Sequence, residues 1–152
     1  MIMKKIIFLC FLFSSFIKSN AQFEVLPTNS TNAYILEIIP FGNCTIVNGW
    51  FSFSAKTYDG GNSFIAFSLP SPSNYDNRLI RVDSNLFLTS YDFVSKHLQF
   101  YFSNDTGSTW ELRLDTTFVF DGFAMFDNLE GILIGALHKI LRTHDGGYSW
   151  QY

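Results

Sequence analysis

Cysteine, basic residues and membrane-length apolar runs are all scarce in this 152-residue sequence, and each shortage removes a class of protein. The longest apolar run, Ile6 to Ile17, is 12 residues and falls short of the roughly 18 that a bilayer-crossing helix needs. It follows Lys4 and Lys5 and precedes the small-x-small site Ser19-Asn20-Ala21. That is the layout of a secretory signal peptide, cut after Ala21, so residues 1–21 are read as a leader and the exported chain as secreted or periplasmic, starting at Gln22. Cys10 lies inside the apolar run after bulky Leu9 rather than at its end, which disfavours a lipid anchor.

Processing takes Lys4, Lys5 and Lys18 from the ten basic residues, leaving seven against thirteen acidic ones, a net of −6. Nucleic acid is excluded as a partner, because backbone phosphates demand clustered Lys and Arg. Of the two cysteines only Cys44 survives, so an exported domain of 131 residues (152 − 21) has no intramolecular disulfide and depends on packing. Cys44 has no His or basic neighbour in sequence to activate it and reads as a small buried hydrophobe. His97, His138 and His144 form no metal-ligand spacing with one another or with other ligating residues. No phosphate loop, nucleophile elbow or redox cysteine pair is present, and no segment keeps an apolar i, i+3, i+4, i+7 pattern.

What is present in quantity is aromatic side chain: eighteen Phe, seven Tyr and three Trp. Each one buried removes roughly 150–250 Å² from water, enough to hold a single core together. The chain is also periodic. SNDTGSTW, Ser103 to Trp110, is followed forty residues on (143 − 103) by THDGGYSW, Thr143 to Trp150, and TYDGGNSF, Thr57 to Phe64, is a third copy. Asp59, Asp105 and Asp145 are 46 and 40 residues apart, the interval of one four-stranded propeller blade.

The segments between copies read as strands. RLIRVD (78–83), LFLTSYD (86–92), HLQFYFS (97–103) and TWELRLD (109–115) fill the middle unit, with the box at the third turn. FAMF (123–126), GILIGA (131–136) and KILRT (139–143) precede the last box, and SWQY follows. The first unit contains AYILEIIPF (33–41), CTIVNGWFSFSAKT (44–57) and SFIAFSL (63–69), the long run being divided at a turn on Asn48-Gly49. The reading is all-β: three antiparallel four-stranded blades at about 33–70, 78–115 and 120–152, a partial β-propeller on residues 22–152.

Each fixed letter of the box has a folding task. The acid (Asp59, Asp105, Asp145) accepts backbone N–H bonds in a tight turn, and the hydroxyl two residues earlier (Thr57, Ser103, Thr143) adds a local bond. The glycine (Gly61, Gly107, Gly147) serves a positive φ or a site with no room for Cβ, and the aromatic (Phe64, Trp110, Trp150) returns into the next strand to be buried between sheets. A calcium loop does not fit, since the cation wants about six to eight oxygens and each box has one acid. No metal or cofactor is expected.

SNDTGSTW and THDGGYSW resemble the Asp-box, or BNR, repeat of sialidases, sortilin-type receptors and related propellers, and TYDGGNSF is a looser match. The last unit, FAMFDNLEGILIGALHKILRTHDGGYSW, resembles the blade of photosystem II assembly factor-like propellers. A sialidase-like fold implies an arginine cluster, a Glu-activated Tyr and an acidic donor. The chain has only Arg78, Arg81, Arg113 and Arg142, with Arg113 and Arg142 read as solvent-facing ion-pair partners, so no catalytic residue is carried over and no enzyme is expected.

Closed propellers have about four to eight blades, and three are found. A truncated chain, two chains closing a ring through open blade edges, or an edge patched by Phe23 to Leu26 would account for the difference, and truncation is the expectation adopted. Successive turns of a blade alternate between faces. The boxes therefore share one face, and ligands are expected on the other, at 70–77, 92–96, 116–122 and 135–139. The leading expectation is an exported non-catalytic module that binds a protein or glycan. The alternatives are a sialidase-like hydrolase remnant without its catalytic residues, or a fragment with no function of its own.

Overall fold

The computed structural model describes residues 35–49, 53–71 and 75–152. The leader, its cleavage site and the Phe23–Leu26 segment lie outside them. Among the described residues eleven strands follow one another in three antiparallel sheets. The first sheet is β1 (Ile35–Phe41), β2 (Cys44–Gly49), β3 (Ser54–Thr57) and β4 (Ile65–Ala66). The second is β5 (Asp76–Val82), β6 (Asn85–Asp92), β7 (His97–Ser103) and β8 (Glu111–Thr117). The third is β9 (Phe120–Met125), β10 (Gly131–Gly135) and β11 (Lys139–Thr143), with Gln151 bridged to Arg142 where a fourth strand would lie. Within every sheet spatial order follows chain order, the meander of a propeller blade.

The residue pattern explains which strand lies deepest. β6 is buried from Leu86 to Tyr91 because it has a sheet on either side. Leu86 and Leu88 join Ile46, Leu79 and Tyr101 between the first two sheets, while Phe87 on the other face meets Phe100 and Met125 between the second and third. Hence LFLTSY is a continuous run rather than an alternating one. Outer strands alternate, as in β8, which sends Leu114 inward and exposes Asp115. Each large side chain so buried stabilises the fold by about 1.5–3 kcal/mol relative to exposure, and Cys44 is one of the small residues filling the first core.

Two turns differ in kind. Between β1 and β2 a two-residue hairpin loop, Gly42-Asn43, has Gly42 at φ 62°. The turn expected on Asn48-Gly49 is displaced: both residues belong to β2, Asn48 opposite Ser54, and the Gly49 N–H donates to the Phe53 carbonyl across the loop. Asn48 is withdrawn from turn duty by long-range bonds. Its amide donates to Glu37 Oε2 at 2.9 Å and to the Asn77 carbonyl at 3.0 Å.

Candidate functional site

The three boxes fold alike, each between the third and fourth positions of its sheet. In the second box Ser103 Oγ donates to Asp105 Oδ1 (2.8 Å) and accepts from the Gly107 N–H (2.9 Å). Asp105 Oδ1 also takes the N–H groups of Ser108 (2.9 Å) and Thr109 (2.8 Å), and Oδ2 takes the Thr109 hydroxyl (2.6 Å). The first box repeats this with Thr57, Asp59, Gly61 and Ser63, and the third with Thr143, Asp145, Gly147 and Ser149.

A hydroxyl therefore stands at the seventh position of every copy, where the sequence pattern left the residue free. The signal was in the alignment of the copies: Ser63, Thr109 and Ser149. That hydroxyl is the leading reason each acid lies low. Asp59, Asp105 and Asp145 are each lowered to about 2, chiefly by the side-chain bond from Ser63, Thr109 and Ser149 respectively. These carboxylates are exposed or half-buried, and their bonds run within their own turns rather than toward one cavity.

The glycine and aromatic positions join neighbouring blades. Gly147 has φ 95°, and a Cβ there would overlap the Phe100 ring of the preceding sheet. Trp150 lies edge-on to Phe100 with centroids 5.4 Å apart, its indole N–H held by the Gly147 carbonyl at 3.0 Å. Trp110 packs against the first core beside Phe67, and Phe64 is half-buried.

Arg113 differs from its expected role. It pairs with Glu111 at 2.9 Å, yet its side chain is only 8% exposed. The guanidinium lies between the Phe102 ring (3.6 Å) and the Tyr148 ring (4.4 Å) and donates to the Gly146 carbonyl of the third box. Tyr148 hydrogen-bonds Glu111 at 2.7 Å, which raises the phenol and lowers the acid. Arg142 is exposed and meets Glu130 at 3.5 Å, His97 meets Asp115 and His144 meets Glu130. Among the described residues no three His, Cys, Asp or Glu side chains group as a metal site.

The opposite face is built from other turns. The loop 93–96 joins β6 to β7, the connection 118–119 joins the second sheet to the third, and the loop 136–138 joins β10 to β11. Two backbone bonds weld them: Phe118 N–H to the Lys96 carbonyl at 2.9 Å, and Ala136 N–H to the Val119 carbonyl at 3.1 Å. Asp92 stiffens the first loop by accepting the Ser95 hydroxyl and the Val94 N–H, which holds its carboxyl below the usual range.

On this rigid platform apolar side chains face water: Phe93 is 59% exposed, Val94 91%, Val119 43% and Leu137 87%. Leu137 and His138 also sit in left-handed backbone, at φ 59° and 61°, beside Lys139. The alternation of turns pointed to these segments. Which side chains they expose depends on loop conformations that no short-range pattern encodes.

Three antiparallel sheets in meander order, stacked through box aromatics, define part of a β-propeller. The likeness to solved structures has the same meaning. YCF48 from Cyanidioschyzon merolae, a photosystem II assembly factor, superimposes with a TM-score of 0.68 at 14% identity, over 84% of this chain and 42% of that one. YCF48 bound to D1 peptide superimposes with a TM-score of 0.62 at 19% identity, over 84% of this chain and 46% of that one. The chain thus spans less than half the length of either structure, and the likeness is one of fold. No protein-family model matches the sequence, and no curated protein matches it.

Proposed function

We propose that this chain is a non-catalytic propeller module that binds a protein partner across the face opposite its boxes, the boxes serving as hairpin fasteners. The observation that carries the reading is Leu137. A loop tip in left-handed backbone is ordinarily Gly or Asn, because a side chain there costs about 1–2 kcal/mol. This one is an apolar residue, 87% exposed, with Val119 on the connection bonded to its loop and Phe93 and Val94 on the loop bonded in turn to that connection. Folding gains nothing from that arrangement, and binding does. The peptide-bound form of YCF48 supports a protein as the partner. The acids with the largest shifts are committed to box turns, which supports binding over acid–base chemistry. The sequence pattern read as a leader over residues 1–21 supports a module that acts after export.

A photocrosslinking residue at position 137, compared with one at position 108 on the box face, tests this in cells secreting the chain. The proposal expects one protein adduct from position 137 and none from 108. Adducts of equal yield from both, or none from 137 together with binding on a glycan array, would overturn it.

A further inference from the structure

The first two sheets meet through side chains rather than through a backbone ladder. The β5 strand turns its Leu79 N–H away from β6, and Glu37 on β1 reaches across to accept it at 2.8 Å. The same oxygen, Oε2, accepts the Asn48 amide at 2.9 Å, and that amide's other hydrogen goes to the Asn77 carbonyl at 3.0 Å. Ser54 donates to Asn48 Oδ1 and Ser71 to Asn77 Oδ1, so one carboxylate stands at the centre of a polar cluster where the first two sheets meet. Asn77 Nδ2 and the nearby Ser90 Oγ are buried there with no protein partner.

We propose that Glu37 is a pH-responsive pin between the first two blades, tightening their junction when it is protonated. An ionised carboxylate withdrawn from water is costly even with two donors on it, and a neutral acid keeps a carbonyl oxygen for the same donors. The charged groups facing it are Arg78 and Asp76 on β5, which oppose each other, and β2 carries no charge. Burial outweighs the hydrogen bonds and raises the Glu37 carboxyl above its ordinary value. By linkage its contribution to stability is greatest below the unfolded value of about 4.3 and is lost as pH rises through the folded value.

Thermal unfolding of the mature chain at pH 7.5 and 5, with amide exchange at Leu79, tests the pin. Glu37→Gln keeps the acceptor and removes the charge. It is expected to raise Tm by roughly 2–4 °C at pH 7.5 and to abolish the gain in Tm and in Leu79 protection that the unaltered chain shows at pH 5. Glu37→Ala, which strands both donors, lowers Tm at both values. A Glu37→Gln chain as destabilised as Glu37→Ala at pH 7.5, or one whose pH profile parallels the unaltered chain, would overturn the proposal.

Discussion

The Arg113 guanidinium stands 3.6 Å from the centroid of the Phe102 ring, reached from the irregularity in the β7–β8 register, while Phe102 itself pairs with Glu111. Forty-six residues earlier (102 − 56 and 113 − 67) the same two positions hold Lys56 and Phe67, with the ammonium 4.6 Å from the ring. Cation and aromatic have exchanged places while the contact has stayed. In both blades the second position also reaches the next box: Phe67 lies against Gly107, and Arg113 bonds the Gly146 carbonyl.

This exchange makes a double-mutant cycle informative. Arg113→Ala removes a stacked, nearly buried cation and its bond to Gly146, and is expected to cost about 1–3 kcal/mol in urea unfolding. Phe102→Lys combined with Arg113→Phe installs the first blade's arrangement. It is expected to cost less than the sum of the two single changes, and strict additivity would show that the pair is not coupled.

The seventh box position supplies a second test. Thr109→Val keeps shape and deletes the hydroxyl on Asp105 Oδ2. NMR titration is expected to find the Asp105 carboxyl raised from about 2 toward the ordinary range. The accompanying loss, since the group is half-exposed, is about 1 kcal/mol or less.

Acid unfolding carries the sign of all three boxes together. Their carboxyls lie at about 2 in the fold, below the ordinary value near 3.9, so the stability they supply is full above roughly pH 4 and is lost as pH falls toward 2. Chemical denaturation between pH 5 and 2 is expected to show that loss. Its slope should shrink when Asp145 is replaced by Asn, because one of the three box groups no longer titrates.

Thr106 sits at φ 61° where the other two boxes have Gly60 at 71° and Gly146 at 76°. A β-branched residue is strained there by about 1–2 kcal/mol, while glycine gives back part of the gain as chain entropy. Thr106→Gly is accordingly expected to raise the unfolding free energy measured in urea by a net of less than about 1 kcal/mol.

The strand order and the box turns were legible in the sequence because backbone geometry fixes them locally: a carboxylate and a hydroxyl two residues apart close the same turn wherever they occur. Contacts between blades were not. Asn48 looked like half of a hairpin turn until Glu37 and Asn77, 11 and 29 residues away, claimed its amide. Arg113 looked solvent-facing because the groups that cover it, Tyr148 and Gly146, belong to the next repeat. The exchanged pair is hidden for a related reason. Reading down the repeat columns finds lysine over phenylalanine and phenylalanine over arginine, and only the contact is kept. The exposed tips of Phe93, Val94 and Leu137 fell within the segments singled out from turn alternation, but as spans rather than as side chains.

The division of labour between the two faces can be measured directly by comparing Val94→Asp/Leu137→Asp with Asp145→Ala, reading urea midpoint and photoadduct yield from position 119 on the same preparations. The account predicts that the loop pair keeps its midpoint and loses the adduct, while the box variant loses about 1 kcal/mol of stability and keeps the adduct in its folded fraction. A loop pair that still forms the adduct, or a box variant that loses it at an unchanged midpoint, would contradict the account.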